Sequence, residues 1–246
     1  MKIIVYTCIV NNYDSLHPIP LNIQNENVRF VCFSDDISLN ADGWEVFSLS
    51  SPETLKNPAL INRYHKFFPD KVLPECDWSI YIDGNISFNT PPHLLMTESI
   101  INKEIACFEH PVRNYLDQEV DAIIRHKKIP ESKRSEAEAQ VQYYYDAGLP
   151  AQMKLLTNFI IFRRFNSEKL KPAMEDWWIE FNNNIKRDQL SLNYVLWKNH
   201  IEVVVIEMDN NNDERIFSRL KHQKKGFKGL RRKVKRSLKN FFNGRS

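Results

Sequence analysis

The segment Ser79-Ile80-Tyr81-Ile82-Asp83-Gly84-Asn85 runs from an apolar stretch into a glycine-containing turn and ends on a carboxylate and a carboxamide. Residues i and i+2 of an extended segment share one face, so Asp83 and Asn85 are placed to present oxygens to one hard cation. Such a cation would hold a diphosphate and neutralise charge on it as it leaves. An ordinary strand-ending Asx turn is the plainer alternative, and Asp-Gly-Asn favours it unaided. Arg63 and Lys66, three apart on a predicted helix, share a face. Beside a carboxylate they could bind phosphate, Arg by its planar fork and Lys as a point charge, or they could form a solvated surface pair. Asp35-Asp36 follow another strand, where they could accept from a base or ribose or cap a loop. His110 and Arg113 sit in a His-Pro-Val-Arg turn, with structural and binding roles both open. Arg187-Asp188-Gln189 opens a helix, where an aspartate's ordinary role is the N-cap.

These residues need elements to hold them at strand ends. Lys2 to Val10 reads as a buried strand rich in β-branched residues, followed by strands at Val28 to Phe33 and Trp44 to Leu49. Pro58 to Phe68 has helical spacing, with Pro69 as a stop signal. Trp78 to Ile82, Ile86 to Phe88 and Ile105 to Phe108 read as strands, and one long polar helical stretch runs to Tyr145, with Gly148 as its stop. Leu155 to Arg163 is a strand, Glu168 to Ile185 a helix carrying Trp177-Trp178, and Asp188 to about Lys198 another helix. Ile201 to Met208 is the last strand. Adjacent tryptophans cannot both face the same core direction, so one is expected inside and the other partly exposed. Strands alternating with helices predict an α/β domain with a mostly parallel sheet, whose ligands gather at the carboxyl ends of strands.

Composition bounds the function classes. The chain has 246 residues, 42% hydrophobic and 26% charged, with six glycines and 12 prolines, which excludes disordered and collagen-like states. Cys8, Cys32, Cys76 and Cys107 show no C-x-x-C pairing and lie beside apolar residues, as expected of reduced core thiols in a cytoplasmic protein. The apolar N-terminal run is too short for a signal sequence, and no later run approaches a membrane span. Gly-rich phosphate loops, nucleophile elbows and H-E-x-x-H motifs are missing, so P-loop, hydrolase and zincin readings lack support.

Of 34 Lys and Arg residues, 12 fall between Arg219 and Ser246, a stretch with no Asp or Glu, so an acidic body carries a basic tail. Phe227, Leu230, Val234, Leu238 and Phe241 recur there at helical spacing among basic residues. This pattern predicts an amphipathic helix lying on an anionic membrane surface, in preference to a bland solvated tail or a nucleic-acid binder. The expected division is a domain over residues 1–212 and a tail over 213–246.

The order of the motifs carries more than any one of them. Tyr6-Thr7 through Tyr13-Asp14, Cys32-Phe33-Ser34-Asp35, Arg63-x-x-Lys66, Tyr81-Ile82-Asp83-Gly84, His110-x-x-Arg113, Tyr144-x-x-x-Gly148, Trp177-Trp178 and Arg187-Asp188-Gln189-Leu190-Ser191 span residues 3 to 200. In this arrangement the chain resembles the glycosyltransferase-like family, formerly a domain of unknown function, of plant Golgi proteins and bacterial polysaccharide loci. The resemblance implies a GT-A-like single α/β domain that binds a nucleotide sugar, with a D-x-D motif holding a divalent Mn²⁺ or Mg²⁺. By the same resemblance Asp83 and Asn85 are the metal positions, Asn85 giving a neutral oxygen where the motif has a second Asp. Thr7 and Asp35 would lie near base and ribose, and Arg63, Lys66 and Asp83 near the diphosphate. His110, Arg113 and Gln189 would contact substrate, and Asp188, with Asp83, would be the catalytic carboxylates.

The expected function is transfer of a sugar from a nucleotide-sugar donor to a surface-polysaccharide or lipid-linked glycan acceptor. Cations would stabilise the departing diphosphate while a carboxylate accepts the acceptor's proton. The expected location is cytoplasmic, peripheral on the inner membrane face, with no nucleic acid as partner. A non-catalytic nucleotide-sugar- or glycan-binding relative is the alternative.

Overall fold

A computed structural model describes residues 1–210 and 213–220. The elements run β1 (Ile3–Ile9), β2 (Val28–Ser34), β3 (Trp44–Ser48), α1 (Pro58–Phe67), α2 (Pro69–Val72), β4 (Trp78–Ile82), β5 (Ile86–Phe88), α3 (Glu98–Ile101) and β6 (Ile105–Glu109). They continue with α4 (Leu116–Arg125), α5 (Arg134–Asp146), β7 (Leu156–Arg164), α6 (Leu170–Asn183), α7 (Asp188–Lys198), β8 (Val203–Ile206) and β9 (Phe217–Arg219).

Seven strands form one sheet in the order β3-β2-β1-β4-β7-β6-β8. β1 pairs in parallel with both β2 and β4, from Ile3↔Val28 and Ile3↔Trp78. β7 runs antiparallel to β4 and β6, and β8 is again parallel to β6. The mostly parallel α/β sheet expected from the sequence is therefore present, with one reversed strand. That reversal matters for the site, because it brings the beginning of β7 to the edge where β1 and β4 end.

All seven residues of β1 are buried, the signature of a strand covered on both faces. Its alternate residues feed two cores: Ile4, Tyr6 and Cys8 pack with Phe67 and Trp177, while Ile3 and Val5 pack with Trp78, Ile80 and Phe162. Trp177 is fully buried and stacks on Phe67 at 3.9 Å, whereas Trp178 is partly exposed against Tyr64 and Phe68, the division expected of adjacent helix positions. The four cysteines are free and buried.

α1 starts where the sequence says it should. Asn57 accepts from Ala59 N at 2.9 Å as a side-chain cap, and Pro58 occupies the first turn, where its missing N–H costs nothing. Its far end is tied down by a buried cation absent from the sequence reading. Arg163 of β7 donates to the main-chain oxygens of Lys66 (2.7 Å) and Phe67 (3.2 Å), and to the Tyr6 hydroxyl (2.6 Å). These are last-turn carbonyls with no intrahelical partner, and Arg163 fixes the height at which Lys66 stands over the sheet.

Three expectations change. The polar helical run before Tyr145 is two helices, α4 and α5, separated by a turn at Lys127 (φ 53°), by Pro130 and by a short 3₁₀ segment. Proline cannot donate to a preceding turn, so one continuous helix was not available there. The strand expected over residues 201–208 is confined to Val203–Ile206. Residues 213–220, expected as the start of the tail, return to the body instead: β9 pairs antiparallel with β5, and Phe217 is buried. The helix expected over residues 227–241 lies outside the described residues. Among those described, no helix is long and apolar enough to cross a membrane.

Candidate functional site

The ends of β1 and β4, the start of β7 and the starts of α1 and α7 surround a cavity of about 610 Å³. One wall comes from Cys8 to Asn11 and from Asn57 to Lys66, and Asp83 and Gly84 form the middle. Asn158, Arg187 and Asp188 form the far wall, with Lys128 beside them. This ordering follows from the sheet, in which β4 lies between β1 and β7.

Asp83 is fixed through its backbone and its side chain. Its N–H donates to Phe159 O at 2.8 Å across to β7, and the Tyr81 hydroxyl donates to its Oδ1 at 3.1 Å. Gly84 is required by its neighbour, since a Cβ there would lie 2.9 Å from Asp14 Oδ2. Asp14, a cavity-lining carboxylate on the loop after β1, thus packs directly against the Asp83 turn.

Lys66 is 1% exposed and lies between two carboxylates, 2.8 Å from Asp188 Oδ2 and 3.7 Å from Asp83 Oδ1. Its ammonium also stands 5.0 Å from the Tyr81 ring centre. Arg63, one turn earlier, reaches the same Asp188 oxygen through Nε at 2.9 Å. It also donates to Asn62 Oδ1, while Asn62 Nδ2 donates to Cys8 O at 2.6 Å and joins α1 to β1. Burial opposes ionisation of Asp188, but Arg63, Lys66 and Arg187 outweigh it and hold its carboxyl well below the ordinary range. For Arg63 burial likewise disfavours the charge, and Asp188, Tyr81 and Asp83 together more than restore it. Trp177 Nε1 donates to Asp188 O at 3.0 Å and positions the start of α7.

A carboxylate this acidic and this fully paired is poorly matched to accepting a proton near neutral pH. Asp188 has the surroundings of a group that orients Lys66 and Arg63. Asp83 is the carboxylate that faces the cavity, with 38% of its side chain exposed.

The cavity brings together Asp83, Arg63, Lys66 and Asp188 from the sequence-predicted set, and the other members stand outside its lining. Thr7 is buried beneath the Asp83 turn, its Oγ1 without a hydrogen-bond partner. Asp35 accepts from Asn11 N through both oxygens, at 3.1 and 3.0 Å, and so holds the cavity-lining loop where Asn11 (φ 56°) turns. His110 Nδ1 accepts from the N–H groups of Val112 (3.2 Å) and Arg113 (3.0 Å), which organises its own turn. Arg113 pairs with the buried Glu119 at 2.7 Å. Gln189 donates to Leu156 O and pins α7 to β7.

Asn85 is also turned to structural use. Its Nδ2 donates to Leu220 O at 3.3 Å and its main-chain oxygen accepts from Leu220 N at 2.7 Å, holding the end of β9. Among the described residues no three His, Cys, Asp or Glu side chains gather closely enough for a metal ion. Lys66 stands beside Asp83 Oδ1, Asn85 Nδ2 is engaged at the end of β9, and no step of the proposed reaction is routed through a metal ion.

Asn158, Asp14 and Lys128 line the cavity and were missed. Asn158 is 7% exposed, and its Nδ2 has no hydrogen-bond partner. Its place just before the apolar run Phe159 to Phe162 was its only signal.

The class of this α/β protein, with its strand-end carboxylate facing the cavity, comes from comparison with known proteins. The family model described as "TOD1/MUCI70, glycosyltransferase-like domain" matches residues 1–222, and the chain belongs to that family. "Alkaline ceramidase TOD1" of Arabidopsis thaliana is 26% identical over 148 residues, which are 51% of this chain and 32% of that relative. The chain thus spans about a third of the curated relative's length. The apo structure of the WbbM bifunctional glycosyltransferase superposes with a TM-score of 0.51 at 11% identity, over 83% of this chain and 38% of that one. That likeness is one of fold.

Proposed function

We propose that the protein transfers a sugar from a nucleoside diphosphate sugar to a hydroxyl-bearing acceptor, with the reacting carbon held at Asp83. The observation that carries this reading is the Asp83 carboxylate at the end of β4, facing a cavity with the buried Lys66–Asp188–Arg63 network behind it. The nucleoside lies along the β1 and α1 wall, the diphosphate passes the middle, and the sugar lies toward Asn158. The acceptor oxygen attacks the anomeric carbon as the bond to the diphosphate breaks, and that electron pair goes to the phosphate oxygen. The hydroxyl proton goes to Asp83. Lys66 keeps the Asp83 region electrostatically fixed in a water-poor setting, where oriented charge acts most strongly.

Family membership supports the reaction class. A surface-polysaccharide or lipid-linked glycan acceptor, reached at an anionic membrane face through the basic residues after Arg219, extends the proposal and rests on sequence pattern. Assay of a panel of nucleotide sugars for release of the free diphosphate tests the reaction. Turnover that is lost in Asp83→Asn supports it. Tight binding of a nucleotide sugar without turnover would favour the non-catalytic relative.

A further inference from the structure

This inference rests on the nucleotide-sugar reading and concerns the charge that stabilises the leaving group. When the sugar–phosphate bond breaks, the diphosphate gains negative charge, and only cations not already neutralised give it net stabilisation. Lys66 and Arg63 are the obvious candidates, yet both are committed. Lys66 lies 2.8 Å from Asp188 and 3.7 Å from Asp83, and Arg63 lies 2.9 Å from Asp188. Two cations therefore face two carboxylates, and that half of the site is close to neutral.

The far wall differs. Arg187 lines the cavity at the residue before α7; its charge acts on Asp188 and Glu119 at longer range, and among the described residues it forms no ion pair within 4.0 Å. Its Nε is buried with no hydrogen-bond partner. Lys128 lines the same wall but is exposed to water, which weakens its field. A buried, unpartnered guanidinium N–H costs free energy unless a ligand supplies the acceptor. The Arg fork matches two phosphate oxygens in one plane.

We infer that Arg187 binds the terminal phosphate of the nucleoside diphosphate and carries the charge compensation for the departing group, leaving Lys66 and Arg63 to hold the carboxylates. The chain would thus supply this positive charge itself.

Titration calorimetry in EDTA, with matched nucleoside mono- and diphosphates of uridine, guanosine, cytidine and adenosine, tests the assignment. Wild-type protein should bind one diphosphate about tenfold or more tightly than its monophosphate, as one charge-assisted contact implies. Arg187→Gln should remove most of that gap while monophosphate affinity stays within about twofold. Arg187→Lys, which keeps charge but loses the fork, should fall between them and guards against a folding defect in the first variant. A gap that survives Arg187→Gln, an equal loss for both nucleotides, or a gap that appears only with Mn²⁺ would overturn the inference alone. If no diphosphate in the panel binds wild-type protein, the nucleotide-sugar reading falls with it.

Discussion

The two walls of the cavity are built on opposite electrostatic plans. On the α1 side, cation and anion are matched inside the protein: Lys66 and Arg63 against Asp188, with Asp83 nearby. On the β7 side, Arg187 Nε and Asn158 Nδ2 are buried polar atoms with no partner. Satisfied groups fix geometry, and unsatisfied buried groups are costly enough to be worth keeping only where something else satisfies them. The α1 side accordingly fixes geometry through ion pairs made within the protein, while the β7 side holds buried polar atoms that a ligand could satisfy.

Substitutions on the two sides should separate along this line. The largest effect is expected at Asp83, which faces the space between them. Asp83→Asn keeps shape and the backbone bond to Phe159, but loses the proton acceptor, so turnover should fall by about 10²- to 10⁴-fold with stability little changed. Paired turnover and urea-melt measurements check this. Asp188→Asn should act first on the fold, because it leaves the buried Lys66 without its closest anion. A loss of about 3–5 kcal/mol of unfolding free energy is expected, read from denaturant midpoints. If Asp188→Asn were instead as stable as wild type but inactive, the structural assignment would be wrong and Asp188 would return as the reacting carboxylate.

Truncation separates the contribution of β9 from that of the basic segment after it. Ending the chain after Asn212 removes the buried Phe217 and the β5–β9 pairing, and should cost about 3–5 kcal/mol. Ending it after Leu220 keeps both, so the difference in denaturant midpoint between the two truncations reads the contribution of β9.

Much of the α1 wall was legible in the sequence because parallel strands deliver their last residues to one edge. A carboxylate just after an apolar run, as at Asp83, is therefore a readable signal. Arg63 and Lys66 were legible as an i, i+3 pair. The partner that pairs with them, Asp188, lies more than 120 residues away, and only the packing of α7 on β7 brings it there. The β7 wall was not legible in the same way. β7 is reversed, so its lining residue, Asn158, comes near the start of the strand, where strand-end reasoning does not look. Asp35, His110, Arg113, Gln189 and Asn85 have the residue types of a binding site, and the structure gives each of them contacts that hold loops and strand ends in place. Pattern alone could not tell a side chain that grips substrate from one that grips its own backbone.

Smaller effects sharpen the contrast. Asn158→Leu should weaken nucleotide-sugar binding by about 1 kcal/mol relative to the free diphosphate, since it removes the donor that the proposed pose sets against the sugar. Calorimetry with both ligands reads the difference. His110 lies outside the cavity, and its effect should appear in stability alone. Burial, with Arg113 and Arg219 adding to it, brings its pKa down to about 4 from the ordinary value near 6.5. The folded state therefore prefers the neutral ring, as the two N–H groups donated to Nδ1 require. Its contribution is complete above about pH 6.5 and is lost as pH falls toward 4. Urea midpoints of wild type and His110→Gln should converge across that window.

The central claim is that Asp83 and its cavity act on a nucleotide sugar. The most direct measurement is release of free nucleoside diphosphate from a nucleotide-sugar panel by wild type and Asp83→Asn, with ceramide offered in parallel as an amide substrate. The account predicts diphosphate release from at least one donor by wild type, a loss of about 10²-fold or more in Asp83→Asn, and no amide cleavage by either protein. Ceramide hydrolysis without diphosphate release, or equal release by the two proteins, would contradict it.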